Sequence, residues 1–205
     1  MDMRKTLLAV MMSVALLVMS ACAVPSSTQA TPTPTSSITP TQVIQYMPAA
    51  PSGPEQQGYC WTSSLAVARD DAWRCMVGNE IFDPCFAVGP DKTIVCDADP
   101  ATNKAGFVLK LTKPLPTPNV PAQAKQSYQG WLVRLSDGTI CSYATGATTG
   151  VNGERLNYLC SDKSGLLGNL HPGQVWTADK VIIEVGPNGP TLKQSQTVTI
   201  RTVWQ

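Results

Sequence analysis

Cys60 is the residue of this 205-residue chain with the strongest chemical promise. It stands in the segment Gln57-Gly58-Tyr59-Cys60-Trp61-Thr62-Ser63-Ser64; the single histidine, His171, lies far downstream, and Asn188 follows it. A thiol becomes a nucleophile when a base within hydrogen-bond reach takes its proton and a third group orients that base. Cys60, His171 and Asn188 are of the three types required, and the chemistry would be hydrolysis or acyl transfer. A second use of the same cysteine competes with it. Cys60, Cys75, Cys85, Cys96, Cys141 and Cys160 make an even set. Making Cys60 catalytic leaves five to pair and strands one of them.

The segment around Cys60 resembles the active-site segment of papain-like cysteine peptidases, and the order Cys, His, Asn is that family's order. The resemblance implies Gln57 as an oxyanion donor, Cys60 as nucleophile and His171 as base. Two departures stand against it. The Cys-Gly that precedes the family's catalytic Ser-Cys-Trp is absent, and His171 opens a loop-like His171-Pro172-Gly173. A small hydrolase or transpeptidase acting on envelope polymers through Cys60 and His171 is therefore the alternative reading, and a disulfide-bonded Cys60 beside a packed tryptophan the leading one.

Other groups could bind without reacting. Asp97, Asp99 and Asn103 have the spacing that opens an EF-hand loop, but Thr102 occupies the glycine position and Val108 that of the terminal glutamate. An ordinary solvated turn is expected there, with no metal and no cofactor. The cysteines lack the paired CxxC spacing of zinc sites. Trp61, Trp73, Trp131, Trp176 and Trp204 are many for a domain with few phenylalanines. Core positions are the ordinary fate of such residues, but an exposed one can stack on a sugar ring. Trp61, Arg69 and Arg74 are the ligand-binding candidates. Arg69 and Asp71 also suit a structural ion pair, since a guanidinium fork fits a carboxylate.

The elements that would position these residues are mainly β. Trp131 to Leu135 alternates, Asp137-Gly138 suits a tight hairpin turn, and Ile140 to Ala144 is the return strand. Phe107 to Leu111, Arg155 to Cys160, Val181 to Val185 and Val198 to Trp204 also read as strands, and Asn152-Gly153 as a turn. Asp70 to Met76 is expected to be the one short helix, because Asp70 and Asp71 suit a helix N-terminus. The Pro-rich stretch from Pro114 to Pro121 cannot sit inside a sheet and is expected to cross between two halves. The fold class is a disulfide-stapled single domain, a β-sandwich or small barrel. Six cysteines allow 15 pairings. The strand pattern favours nearest neighbours: Cys60 with Cys75, Cys85 with Cys96 across a Gly89-Pro90-Asp91 tip, and Cys141 with Cys160.

The N-terminus indicates where the chain works. Arg4 and Lys5 precede an apolar run from Leu7 to Met19 that is too short to span a bilayer. Met19-Ser20-Ala21-Cys22 resembles the lipobox of bacterial lipoproteins. That resemblance implies cleavage after residue 21 and a lipid on the Cys22 sulfur, which also accounts for the odd cysteine. Residues 22–54 then read as a lipid-anchored Pro/Ser/Thr-rich spacer, and residues 55–205 as the extracytoplasmic domain. The formal charge is +1 with no basic block, so no nucleic-acid partner is expected.

A wider resemblance rests on Cys60-Trp-Thr-Ser-Ser-Leu-Ala-Val-Ala-Arg69, Asp71-Ala-Trp-Arg-Cys75 and Asp83-Pro-Cys85-Phe86. Ala144-Thr-Gly146, Arg155-Leu-Asn-Tyr-Leu-Cys160 and Val175-Trp-Thr-Ala178 extend it. These resemble an uncharacterised family of secreted proteins and lipoproteins of actinobacteria and similar bacteria. The resemblance implies an envelope location and places Cys60 in the structural cysteine set. The expected function is a lipid-anchored extracytoplasmic module, non-catalytic, that binds a ligand or partner or is structural, with a cell-wall glycan or an envelope protein as candidate partners.

Overall fold

The computed structural model describes residues 39–53, 55–119, 130–187 and 189–205. Among them are thirteen strands and no helix. After β1 (Gln42–Ile44) comes a meander of five: β2 (Gln56–Ser63), β3 (Ala72–Val77), β4 (Glu80–Val88), β5 (Thr93–Cys96) and β6 (Phe107–Leu111). It closes into a barrel. Five strands alternating in direction leave the first and last running the same way, so the closing pair β2–β6 is parallel.

The rest of the chain forms β7 (Leu132–Leu135), β8 (Ile140–Tyr143), β9 (Gly150–Val151), β10 (Glu154–Cys160), β11 (Gly165–His171), β12 (Trp176–Gly186) and β13 (Gly189–Trp204). The sheet order is β7-β8-β10-β11-β12-β13, and β13 pairs back onto β7. Six is even, so every pair in this second barrel is antiparallel. β9 folds onto β10 as a side hairpin. The mainly β, disulfide-stapled architecture is thus present as two small barrels.

Strand alternation builds the cores. In the first barrel Trp73 and Cys75 of β3, Cys85 of β4, Ile94 and Cys96 of β5 and Leu109 of β6 point inward. In the second, Val133, Leu135, Tyr158, Leu166, Ala178, Ile200 and Val203 do so. The outward residues of the first barrel, Ala72, Phe86, Val88 and Val95, meet Trp131, Leu132 and Trp204 of the second in a third buried cluster. Full burial of one such side chain contributes roughly 1.5–3 kcal/mol.

The hairpins follow their turn residues. Leu135 N–H bonds to the Thr139 carbonyl at 2.9 Å across the Asp137-Gly138 turn. Asn152 and Gly153 have φ of 55° and 84°, two consecutive left-handed residues that Asn-Gly tolerates and that link β9 to β10. β4 and β5 flank the Gly89-Pro90-Asp91 tip. The Pro-rich stretch, described through Asn119, lies in the chain between the two barrels.

Two expectations are corrected. Asp70–Met76 is not a helix; Ala72–Val77 is β3. Its buried side chains recur every two residues, Trp73 and Cys75 into one core and Ala72 to the other side, and a helix would scatter them. Second, the stretch read as spacer is part of the fold at its C-terminal end. β1 pairs parallel with Thr202–Trp204 of β13. Thr41 Oγ1 donates to the Ile200 carbonyl at 2.6 Å and accepts from Trp176 N–H at 2.8 Å. Tyr46 packs against Phe86 and Trp131, with ring centroids 6.1 and 6.0 Å apart. β1 docks through its backbone on the open edge of β13 and through the packed Tyr46 ring, while Val43 and Ile44 stay exposed.

Candidate functional site

The six cysteines form the three nearest-neighbour bonds: Cys60–Cys75 at 1.98 Å, Cys85–Cys96 at 2.00 Å and Cys141–Cys160 at 2.07 Å. Each pair is directly opposed in strand register. The sulfurs of Cys75, Cys85 and Cys96 lie within 4.8 Å of one another inside the first barrel, a metal-like cluster. All three are in disulfides, so none offers a thiolate to a metal. Cys60 likewise holds no free thiol, and the peptidase-like arrangement is without its nucleophile. His171 lies elsewhere, exposed on β11 of the second barrel opposite Thr177. Asn188 and Cys22 lie outside the described residues.

With Cys60 turned inward, Tyr59 and Trp61 take the outer side of β2. Four of the five tryptophans are buried; Trp61 is 39% exposed. The register explains its position. Cys60 faces Cys75 and Thr62 faces Arg74, so β2 has one more residue than β3, and Trp61 is the extra one. Such a bulge re-aims a side chain. β4 has a matching irregularity: Phe82 faces Cys75 and Cys85 faces Trp73, so Asp83 and Pro84, joined by a cis peptide bond, lie in an extra stretch. Arg74 of β3 is thus flanked by a bulge on either side, one presenting Trp61 and the other Asp83.

The resulting cluster is tightly bonded. Arg74 Nη1 donates to Asp83 Oδ2 at 3.1 Å. It also donates to the Thr145 carbonyl at 3.1 Å, in the loop after β8, which ties the cluster to the second barrel. The Asp83 carboxylate is 1% exposed. It accepts from Ser64 Oγ at 2.5 Å and from Leu65 N–H at 3.1 Å. Ser64 Oγ accepts in turn from the Ala66 and Val67 amides, each at 3.0 Å. Burial pushes the Asp83 carboxyl above the ordinary carboxylate range, and the bonds from Ser64, Leu65 and Arg74 oppose that without cancelling it. The Arg74 guanidinium carbon is 5.6 Å from the centre of the Trp61 ring. Next along the strand, the Tyr59 and Trp61 rings are 6.3 Å apart and tilted 59°. Lys113 Nζ lies 4.1 Å from the Tyr59 ring centre.

Of the expected ligand residues, the structure therefore unites Trp61 and Arg74 and separates Arg69. Arg69 Nε and Nη2 clasp both Asp71 oxygens, at 2.9 and 2.6 Å. Nη2 also approaches Met47 Sδ, and Nη1 donates to the carbonyls of Tyr46 and Gln205. Every donor is engaged, and the group lies 5.0 Å over Phe86. Arg69 clamps the segment after β1 and the chain's last residue to the first barrel; it is a structural residue, as the Arg–Asp reading expected.

Asp97 and Asp99 behave as turn residues. Lys104 pairs with Asp97, while Asp99 caps the Ala101 and Thr102 amides and takes the Thr102 hydroxyl. Asp83, Ser64, Tyr59 and Lys113 were not legible as site residues in the sequence. Nothing in the segment around Asp83-Pro84 says that its carboxylate turns inward. Compared with known proteins, the chain matches no family model, no curated protein and no solved structure.

Proposed function

We propose that this chain is a lipid-anchored, extracytoplasmic binding protein of a bacterial envelope, of the kind its sequence resembles, and that the outer face of β2 and β3 holds an envelope glycan. The observation that carries the reading is Trp61. It is the one exposed tryptophan, it sits on a bulge that aims it outward, and Tyr59 follows 6.3 Å away on the same face. Two tilted rings at that spacing suit successive sugar units of a twisted chain, since a sugar's C–H face packs on an aromatic ring. The Cys60–Cys75 bond between them and the barrel core makes the platform rigid before a ligand arrives. A lipid on Cys22 and a Pro/Ser/Thr-rich spacer would tether the domain to the membrane, within reach of wall polymers.

Titrating the purified chain with solubilised cell-wall glycan, read by tryptophan fluorescence, tests the site. Trp61→Ala should weaken binding about tenfold or more, the equivalent of one stacked ring; unchanged affinity removes Tyr59 and Trp61 from the site. For the anchor, Cys22→Ala should move the protein from the detergent phase to the aqueous phase on phase separation.

A further inference from the structure

The ligand class can be narrowed, on the reading that this face binds a glycan. Arg74 is fastened at one end and open at the other. Both Nη1 hydrogens are used, by Asp83 Oδ2 and the Thr145 carbonyl. Nε and Nη2 have no hydrogen-bond partner among the described residues, although only 11% of the side chain is exposed. Neither is among the buried atoms cut off from solvent. Nε–H and Nη2–H make the second fork of a guanidinium, whose two parallel donors match the two oxygens of a carboxylate. The guanidinium that carries this fork lies 5.6 Å from the centre of the Trp61 ring. Its carrier is already held by Asp83, Thr145 and Trp61, so little side-chain entropy remains to be lost on binding.

A second cation stands on the same face. Lys113 is exposed, lies over Tyr59 and has no carboxylate partner among the described residues. Asp83, the carboxylate that faces Arg74, is turned inward and takes up only the Nη1 end. We infer that the Tyr59–Trp61 face recognises an acidic glycan, with a sugar ring stacked on Trp61, its carboxylate in the Nε/Nη2 fork of Arg74, and the acid of a neighbouring unit reached by Lys113. A neutral polymer would leave that fork unanswered. A peptide carboxylate could fill the fork but would not use two tilted rings spaced for sugars.

The test compares one oligosaccharide in two forms. An oligogalacturonate and its fully methyl-esterified counterpart have the same rings and differ in charge. A glutamate-rich peptide of similar charge is the third probe. The full chain should bind the acid form at least tenfold more tightly than the ester, and the preference should shrink with added salt. Lys113→Gln, at an exposed position, should reduce the preference severalfold with the fold intact. Arg74→Lys, which keeps a charge for Asp83 but loses the fork, should remove most of it. Equal binding of acid and ester overturns the acidic inference and leaves the glycan reading standing. Binding of the peptide as tightly as the oligogalacturonate overturns the assignment to a sugar. No binding of either saccharide overturns both.

Discussion

Asp83 and Arg74 show how one buried pair can shape a surface. Asp83 is almost wholly inside, so removing Arg74 strands a carboxylate without its countercharge. Arg74→Met should cost about 3 kcal/mol at neutral pH by urea unfolding. The pH dependence has a definite sign. The folded pKa of Asp83 is raised, chiefly by burial. Between the ordinary and the raised pKa the folded chain keeps a proton that the unfolded chain has released. The stability this group contributes is present below the ordinary value and is lost as pH rises through the folded one. The stability of the natural chain relative to Asp83→Asn should therefore fall as pH is raised from about 4 towards neutrality. An increase over that window would contradict the assignment. Asp162 has the opposite sign: Lys180, then Ser164, pull its carboxyl down to about 2, so its contribution is lost on acidification. It is 42% exposed, and solvent screens most of that effect.

At the scale of elements, the cysteines explain why the strands are where they are. Each disulfide joins residues directly opposed on neighbouring antiparallel strands. Cys141–Cys160 closes a separation of 19 residues that contains β9 and its loop. Replacing both cysteines by serine should cost about 3 kcal/mol, seen as a lower urea midpoint, while the Trp61 face, on the other barrel, continues to bind. The expected helix at Asp70–Met76 failed for a tertiary reason. Asp70 and Asp71 are good helix-start residues, but Asp71 is held by Arg69, and Trp73 and Cys75 share one core. Intrinsic preference in so short a segment amounts to a few tenths of a kcal/mol per residue. Burying a tryptophan and closing a disulfide outweigh it.

For the molecule as a whole, the buried cluster between the barrels decides cooperativity. Phe86 and Val95 come from one barrel and Trp131, Leu132 and Trp204 from the other. Tyr46, two residues beyond β1, packs on this cluster, and Arg69 holds the carbonyls of Tyr46 and Gln205. Tyr46→Ala should cost about 2–3 kcal/mol, less than truncating a fully buried aromatic residue, and should destabilise both barrels in one thermal transition. Two separated transitions would show that the barrels unfold independently.

The sequence by itself determined the strands with clean alternation and the turns carrying Asp-Gly and Asn-Gly, and it favoured the nearest-neighbour pairing of the cysteines that the structure holds. These are local signals: side-chain period, left-handed turn residues and short separations between opposed cysteines. It also marked Trp61 and Arg74 as candidates, though for no reason that set them apart from Arg69. Only the tertiary structure decided that Arg69 is saturated and Arg74 half-open, because that depends on Tyr46, Gln205, Asp83 and Thr145, some of them distant in the chain. It alone decided that β1 joins the second barrel, since the edge it covers is made by the last residues of the chain. The two bulges that bring Trp61, Arg74 and Asp83 together are differences in residue count between paired strands. No single segment contains that difference, so it exists only once the strands have met.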